Sequence, residues 1–246
     1  PPRSRARPAS ARPTARSAAR GARPRSGFFR APRGLNGGGL LNEAVKIVNL
    51  FLTYATEIIQ DVIIVDKDPT LGGVCLNRGC IPSKTLLHIA KVLEEADSLK
   101  KMGVSFTKPK IDIDAVRDWK SKVVTQLSGG IAQMAKARNV KTIQAEASFI
   151  SNNEVELNSD SGKQILTFDH CIIAAGSSSS AIPGIPKDNE NILTSKTALD
   201  LKKIPKKLLV IGGGYIGLEM GTVYSALGSS VSVAEFLPTL LPGVDA

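Results

Sequence analysis

The stretch KKLLVIGGGYIGLEMG, residues 206–221, decides the fold. An apolar run, Leu208-Leu209-Val210-Ile211, leads directly into Gly212-Gly213-Gly214-Tyr215-Ile216-Gly217, and a helix-compatible segment follows. This predicts strand, tight glycine turn and helix. Each glycine has a separate task. Gly212 permits the turn, Gly214 lets a ligand approach the backbone, and Gly217 lets the helix pack closely on its strand. A second apolar run, VSVAE, ends at Glu235, 23 residues after Gly212. An acid there can accept two ribose hydroxyls while repelling a 2′-phosphate, so the unit reads as a dinucleotide site that favours NAD over NADP. Taken alone, Glu235 could equally be a solvated strand end.

Upstream, VIIV (62–65) ending at Asp66 reads as a buried parallel-type strand. Helical spacing over 84–102 places Leu86, Leu87, Ile89, Ala90, Val92, Leu93, Ala96 and Leu99 on one side, and Gly103 supplies the stop. A second helix is expected over 114–136. Three strand-like runs, 140–150, 154–159 and 164–170, are separated by Asn152-Asn153 and Asp160-Ser161-Gly162 and suggest a meander. CIIAAG (171–176) reads as a further buried strand, with Cys171 in the core. The fold class is therefore α/β, with Rossmann-like units and a small β-meander. The expected divisions are an Arg/Pro-rich leader at 1–42, a first domain at 43–200 and the start of a second at 201–246.

The chain has 246 residues and a formal charge of +10, yet residues 1–42 contain ten Arg and no acid. Beyond them, 22 basic residues face 22 acidic ones. The basic balance belongs to the leader, and a nucleic-acid-binding body is not indicated. Residues 1–34 have the composition of an organelle transit peptide. Their prolines and the missing initial Met leave a wrongly translated stretch or a basic contact arm as alternatives. The expected compartment is cytoplasmic, or the mitochondrial matrix if 1–34 is a transit peptide. Residues 45–59 are apolar but shorter than the ~20 needed to cross a bilayer, and Lys46, Asn49 and Glu57 interrupt them. With three Cys and two His, neither a disulfide framework nor a structural zinc site is expected.

The segment GGVCLNRGCIPSK (72–84) sets Cys75 and Cys80 five residues apart. On a regular helix such positions have Cα atoms roughly 8–9 Å apart, beyond the usual disulfide span of about 4.4–6.8 Å. If the sulfurs meet, the segment bends, and Gly79 and Pro82 provide the irregularity. The pair then suits thiol exchange. Two unrelated buried thiols are the alternative.

LGGVCLNRGCIPSK followed by GGGYIGLE resembles the pyridine nucleotide-disulfide oxidoreductases, most of all their dihydrolipoamide dehydrogenase branch, over about residues 62–246. The resemblance implies FAD and NAD as cofactors and oxidation of dihydrolipoamide with NAD as acceptor. It makes Cys75 the interchange thiol and Cys80 the thiolate beside the flavin, with Lys84 near flavin N5 and paired with Glu219. Asp66 would hold the FAD adenosine ribose. Lys67, Gly72, Gly73, Val74 and Cys75 would run along the cofactor, and Ala174, Ala175 and Gly176 would approach its pyrophosphate side. Ala145 and Ala147 stand where the family carries an adenine-contacting G-x-G, and Ala175 replaces a frequent Thr.

The implied partners are dihydrolipoamide-bearing proteins of 2-oxoacid dehydrogenase or glycine cleavage complexes, and a second copy in a homodimer. The window before Asp66, Leu35 to Asn42, lacks a preceding strand and has Asn42 at the last glycine position, so a damaged FAD pyrophosphate loop is expected. Neither His88 nor His170 matches the family's catalytic His–Glu pair, and His88 reads as a packed or surface residue. An inactive piece, incomplete at both ends, is the resulting expectation. A mercuric or other disulfide reductase, or a non-catalytic dinucleotide-binding fragment, is the alternative.

Overall fold

The computed structural model describes residues 61–180, 182–186 and 189–241. The expectations for the leader, for the window Leu35–Asn42 and for 45–59 lie outside the described residues. The remainder mixes helices with three small sheets. Among the described residues, no helix is long and apolar enough to cross a membrane.

Strand β1, Ile63–Asp66, pairs in parallel with β2, Lys141–Gln144, with Val65 opposite Ile143. Between them lie helix α1, Gly73–Arg78, helix α2, Cys80–Ser98, and the 25-residue α3, Ile113–Ala137. A 3-10 turn, Leu99–Met102, closes α2, and Gly103 at φ 85 caps it. At the start of α3, Asp112 accepts hydrogen bonds from the amides of Asp114 and Ala115, satisfying two N–H groups that lack an intrahelical partner.

The run 140–150 is not one strand. Its first half is β2. Ala145 is buried and its N–H donates to the Asp66 carbonyl, and the chain then enters β3, Glu146–Phe149. β3 pairs antiparallel with β4, Glu154–Ser159, which pairs with β5, Gly162–Thr167. Ala145, Val155 and Leu157 form this meander's own small core. After the one-turn helix α4, Ser195–Ala198, the chain forms β6, Lys207–Ile211, helix α5, Tyr215–Ala226, and β7, Ser230–Ala234. β6 and β7 are parallel, with Val210 opposite Val233.

Two expectations are corrected. Residues 171–176 form no strand, and Cys171 is exposed instead of buried. A parallel strand exists only by pairing, and β1 and β2 pair with one another alone among the described strands. Val92 is 49% exposed. At 100° per residue it lies well off the stripe Leu86–Ala90–Leu93 that α2 turns inward.

The larger core joins α2, α5 and the turn after α4, with Leu86, Ala198, Leu199, Leu201, Met220, Val223 and Tyr224 all buried. The turn's carbonyls are satisfied from three directions. Tyr224 Oη donates to Ala198 O at 2.9 Å and Lys120 Nζ to Leu199 O at 2.6 Å. Arg117 donates to Asp200 O and Leu201 O. These donors hold Leu201 at φ 48, a backbone region that non-glycine residues rarely adopt. Burial lowers the pKa of the Lys120 amine, and the neighbouring Asp200 partly restores it.

Candidate functional site

Cys75 lies in α1 and Cys80 opens α2, and the single break between the helices falls at Gly79, at φ −144 and ψ −111. Only glycine fits there. A Cβ would stand 2.9 Å from the Val74 carbonyl oxygen and 3.3 Å from the Cys75 Cα. Pro82 plays no part in the bend. It sits in the first turn of α2, where a proline costs no intrahelical hydrogen bond. The kink returns the first residue of α2 towards Cys75, near enough for the two cysteine side chains to influence one another electrostatically. Both are free thiols in this structure.

Cys75 and Cys80 are exposed as residues, yet partial shielding of the Cys75 sulfur is the main influence that pushes its thiol up to about 11. The Cys80 side chain acts in the same direction. The Cys80 backbone N–H and the Lys84 ammonium pull the other way.

Lys84 lies one turn into α2 and its Nζ donates to Glu219 Oε1 on α5. The two helices pack through Leu86 against Met220 and Val223, so the apolar contact brings this ion pair together. Ser83 Oγ donates to the Cys80 carbonyl at 3.1 Å. His88 is exposed on the same helix.

Asp66 ends β1, and its Oδ1 accepts the Asp68 N–H at 3.0 Å. That leaves Oδ2 without a protein donor among the described residues, an acceptor suited to ribose hydroxyls. Lys67 is exposed, and its carbonyl accepts from Gln144 Nε2. Gly72 and Gly73 turn the chain into α1 with φ +117 and +58. Gly176 comes close to this turn, since a Cβ there would lie 3.4 Å from Val74 Cγ2. Ala175 is exposed beside it, and Ala147 is exposed on β3.

At the other glycine turn, a Cβ on Gly217 would lie 2.5 Å from Gly212 O and 2.9 Å from Val210 Cγ1. Gly217 therefore sets how closely α5 approaches β6. Gly212 adopts φ +98. Gly214 caps α5 facing open space, with nothing within 4 Å of its would-be Cβ. A pyrophosphate fits that approach, because the first amides of a helix carry partial positive charge and lack partners. Tyr215 and Ile216 are exposed at the same helix start. Glu235 accepts from the amides of Leu237 and Gly213, which lower its pKa in that order. The segment after it folds back, and the Leu241 N–H donates to Gly213 O at 3.0 Å.

Sequence reasoning missed Asp68, Asn77 and Arg78. Arg78 pairs with Asp68, while Asn77 Nδ2 reaches the carbonyls of Thr70, Leu71 and Gly73. Backbone carbonyls leave no trace in a sequence, so no spacing signal marks Asn77. A charge pair ten residues apart across a turn is equally silent.

Residues 51–246 match the family described as pyridine nucleotide-disulphide oxidoreductase. Over 185 residues the chain is 51% identical to a dihydrolipoyl dehydrogenase of Vibrio cholerae, covering 75% of this chain and 39% of that protein. It is 50% identical to the Haemophilus influenzae protein of the same name over 186 residues, with the same shares. The chain thus spans about two fifths of the length of the curated relatives it matches. Among solved structures it resembles LpdA of Mycobacterium tuberculosis, with a TM-score of 0.69 and 25% identity over 85% of this chain and 46% of that one. It also resembles the HOCl-induced flavoprotein disulfide reductase RclA of Escherichia coli, with a TM-score of 0.65 and 26% identity over 80% and 42% of the two chains.

Proposed function

The chain belongs to the pyridine nucleotide-disulphide oxidoreductases, and from that premise we propose that it carries the dithiol and nucleotide-binding part of an enzyme that oxidises dihydrolipoamide with NAD. The observation that carries this reading is the Gly79 kink, which sets Cys80 at the start of one helix back beside Cys75 in the other, with the Lys84–Glu219 pair one helical turn away. Residues 43–200 would form the FAD part and 201–246 the start of the NAD part.

In the oxidised state Cys75 and Cys80 form a disulfide. One substrate thiolate attacks the Cys75 sulfur, a mixed disulfide forms, and Cys80 leaves as a thiolate. The second substrate thiolate then attacks the mixed disulfide, which releases cyclic lipoamide and leaves Cys75 reduced. Two electrons have passed from the substrate dithiolate to the protein, whose two sulfurs now carry the negative charge, and the two protons lost when the substrate thiols ionised go to solvent or back onto those sulfurs. The kink at Gly79 keeps the leaving sulfur beside the attacked one, and the Cys80 N–H and Lys84 offset part of the shielding that disfavours an anionic Cys75.

Asp66, Lys67, Gly72, Gly73 and Val74, together with Ala175 and Gly176, would hold FAD, which would supply the two-electron chemistry linking the dithiol to NAD. The chain holds NAD by the turn Gly212–Gly217 and by Glu235, whose negative charge disfavours NADP. The partners of this reading are lipoamide-bearing proteins of 2-oxoacid dehydrogenase or glycine cleavage complexes and a second copy of the chain.

The decisive experiment is peptide mapping of the air-oxidised chain, alkylated before and after addition of dihydrolipoamide. We expect a Cys75–Cys80 cross-link that dihydrolipoamide opens into two alkylated residues. Two alkylated cysteines before reduction, or a link from either one to Cys171, would sink the reading.

A further inference from the structure

Helix α1 is six residues long, and its N-cap Gly72 makes no side-chain cap hydrogen bond. A helix this short is far below the length that holds itself together in water. Yet its orientation against α2 is what sets the two thiols beside one another. Two side chains lying between the cysteines supply the missing restraint, with Leu76 buried beneath them. Asn77 Nδ2 lies 3.3, 3.4 and 3.1 Å from the carbonyl oxygens of Thr70, Leu71 and Gly73, and so laces α1 to the turn that precedes it. Arg78 reaches back with both terminal nitrogens to the two carboxylate oxygens of Asp68. Both partners of that pair are about three quarters shielded from solvent. Asp68 in turn donates its N–H to Asp66 Oδ1 at 3.0 Å. A continuous path of polar contacts therefore runs from Asp66 at the end of β1 to the residue next to the Gly79 kink.

We propose that Arg78 and Asn77 are positioning residues for the cysteine pair: through Asp68 and the 70–73 turn they fix the angle at Gly79 at which Cys75 and Cys80 meet. The inference rests on the dithiol reading above and extends it to residues that touch neither sulfur. Removing the Arg78–Asp68 pair frees the last turn of α1, so the thiols separate part of the time. Their effective concentration towards one another then falls. The influences of Cys80 that keep the proton on Cys75 weaken together with the partial shielding of its sulfur.

The test uses the full chain in glutathione buffers of known composition, in which oxidised glutathione converts the dithiol to a disulfide and two reduced glutathiones. Arg78→Gln should lower the effective concentration of the pair about tenfold, the low end for a hydrogen bond to a charged group. In the reduced protein it should also bring the pH midpoint of Cys75 alkylation down from about 11 towards 9.0. Asp68→Lys alone should act likewise. The swapped pair Asp68→Lys with Arg78→Glu should return both readouts to within about twofold of the parent, which a general loss of stability would not do.

A folded Arg78→Gln protein with an unchanged glutathione equilibrium and pH profile would overturn the proposal. So would a swapped pair that fails to fold, or that folds without restored exchange. If the parent chain forms no Cys75–Cys80 disulfide, the proposed function fails, while the alkylation profile of the reduced protein still decides the positioning role.

Discussion

Glu235 spends its carboxylate on its own chain, taking the N–H groups of Leu237 and Gly213, and each bond favours the charged form. Its folded pKa is thereby held below the ordinary 4.5. A depressed carboxylate stabilises the fold above its unfolded pKa, and that contribution is lost as pH falls through the folded value. The Gly212–Gly217 turn should therefore loosen only below pH 4.5. At neutral pH, Glu235→Ala should weaken NAD about tenfold, the worth of a charged hydrogen bond, and erase any preference over NADP. Fluorescence titration with both nucleotides checks this, and tighter NADP than NAD binding by the parent would sink it. This residue, the glycines of its turn and the two cysteines of α1 and α2 were legible in the sequence because their chemistry depends on spacing along one segment. Asp68, Asn77, Arg78, Arg117 and Lys120 were not, because their partners are backbone carbonyls or charges that only the folded chain brings near.

Most of the elements followed from periodicity, and the exceptions have physical causes. The stripe Leu86–Ala90–Leu93 announces α2 in the sequence itself, whereas the Asp112 cap of α3 is seen only in the folded chain. A strand gives no such local guarantee. The apolar run 171–176 has strand composition but no described neighbour to pair with. The run 140–150 serves two sheets because the Ala145 amide is claimed by the Asp66 carbonyl. Helix α5 is placed by a different constraint, the missing side chain of Gly217. Gly217→Ala would put a methyl 2.5 Å from Gly212 O. That atom is backbone, so either the turn or the helix must shift. Forced overpacking of this kind costs about 1–3 kcal/mol, and a urea titration should show a midpoint lowered to match. The lift of α5 should also disturb its contact with α2 and so the Lys84–Glu219 pair. An unchanged midpoint would mean that α5 does not rest on β6 through this glycine.

At the scale of the whole molecule, the apolar surface is divided unevenly between a closed core and an open sheet. Around Leu86, Leu201, Val223 and Tyr224 the packing is complete, and the carbonyls of the 198–201 turn are each satisfied. Leu86→Ala should therefore cost about 3 kcal/mol, in the range for a fully buried leucine. Among the described residues, the two-stranded sheet β6–β7 is covered on one face only. Val210 and Val231 meet Gly217 and Gly221 of α5, while on the opposite face Leu209 and Ile211 are 61% and 56% exposed. Contiguous apolar surface of this kind is rare on a soluble monomer and marks a surface that another element or partner covers. Residues 1–246 as a separate chain should consequently bind a hydrophobic dye such as ANS while still unfolding cooperatively in urea. Leu209→Lys together with Ile211→Thr should reduce dye binding several-fold and leave the urea midpoint close to the parent, since those side chains contribute little burial to lose. Leu86→Ala should do the reverse, lowering the midpoint sharply. Dye binding that survives the sheet substitutions, or a midpoint that falls with them as far as with Leu86→Ala, would show that the outer face of β6 is already packed in solution.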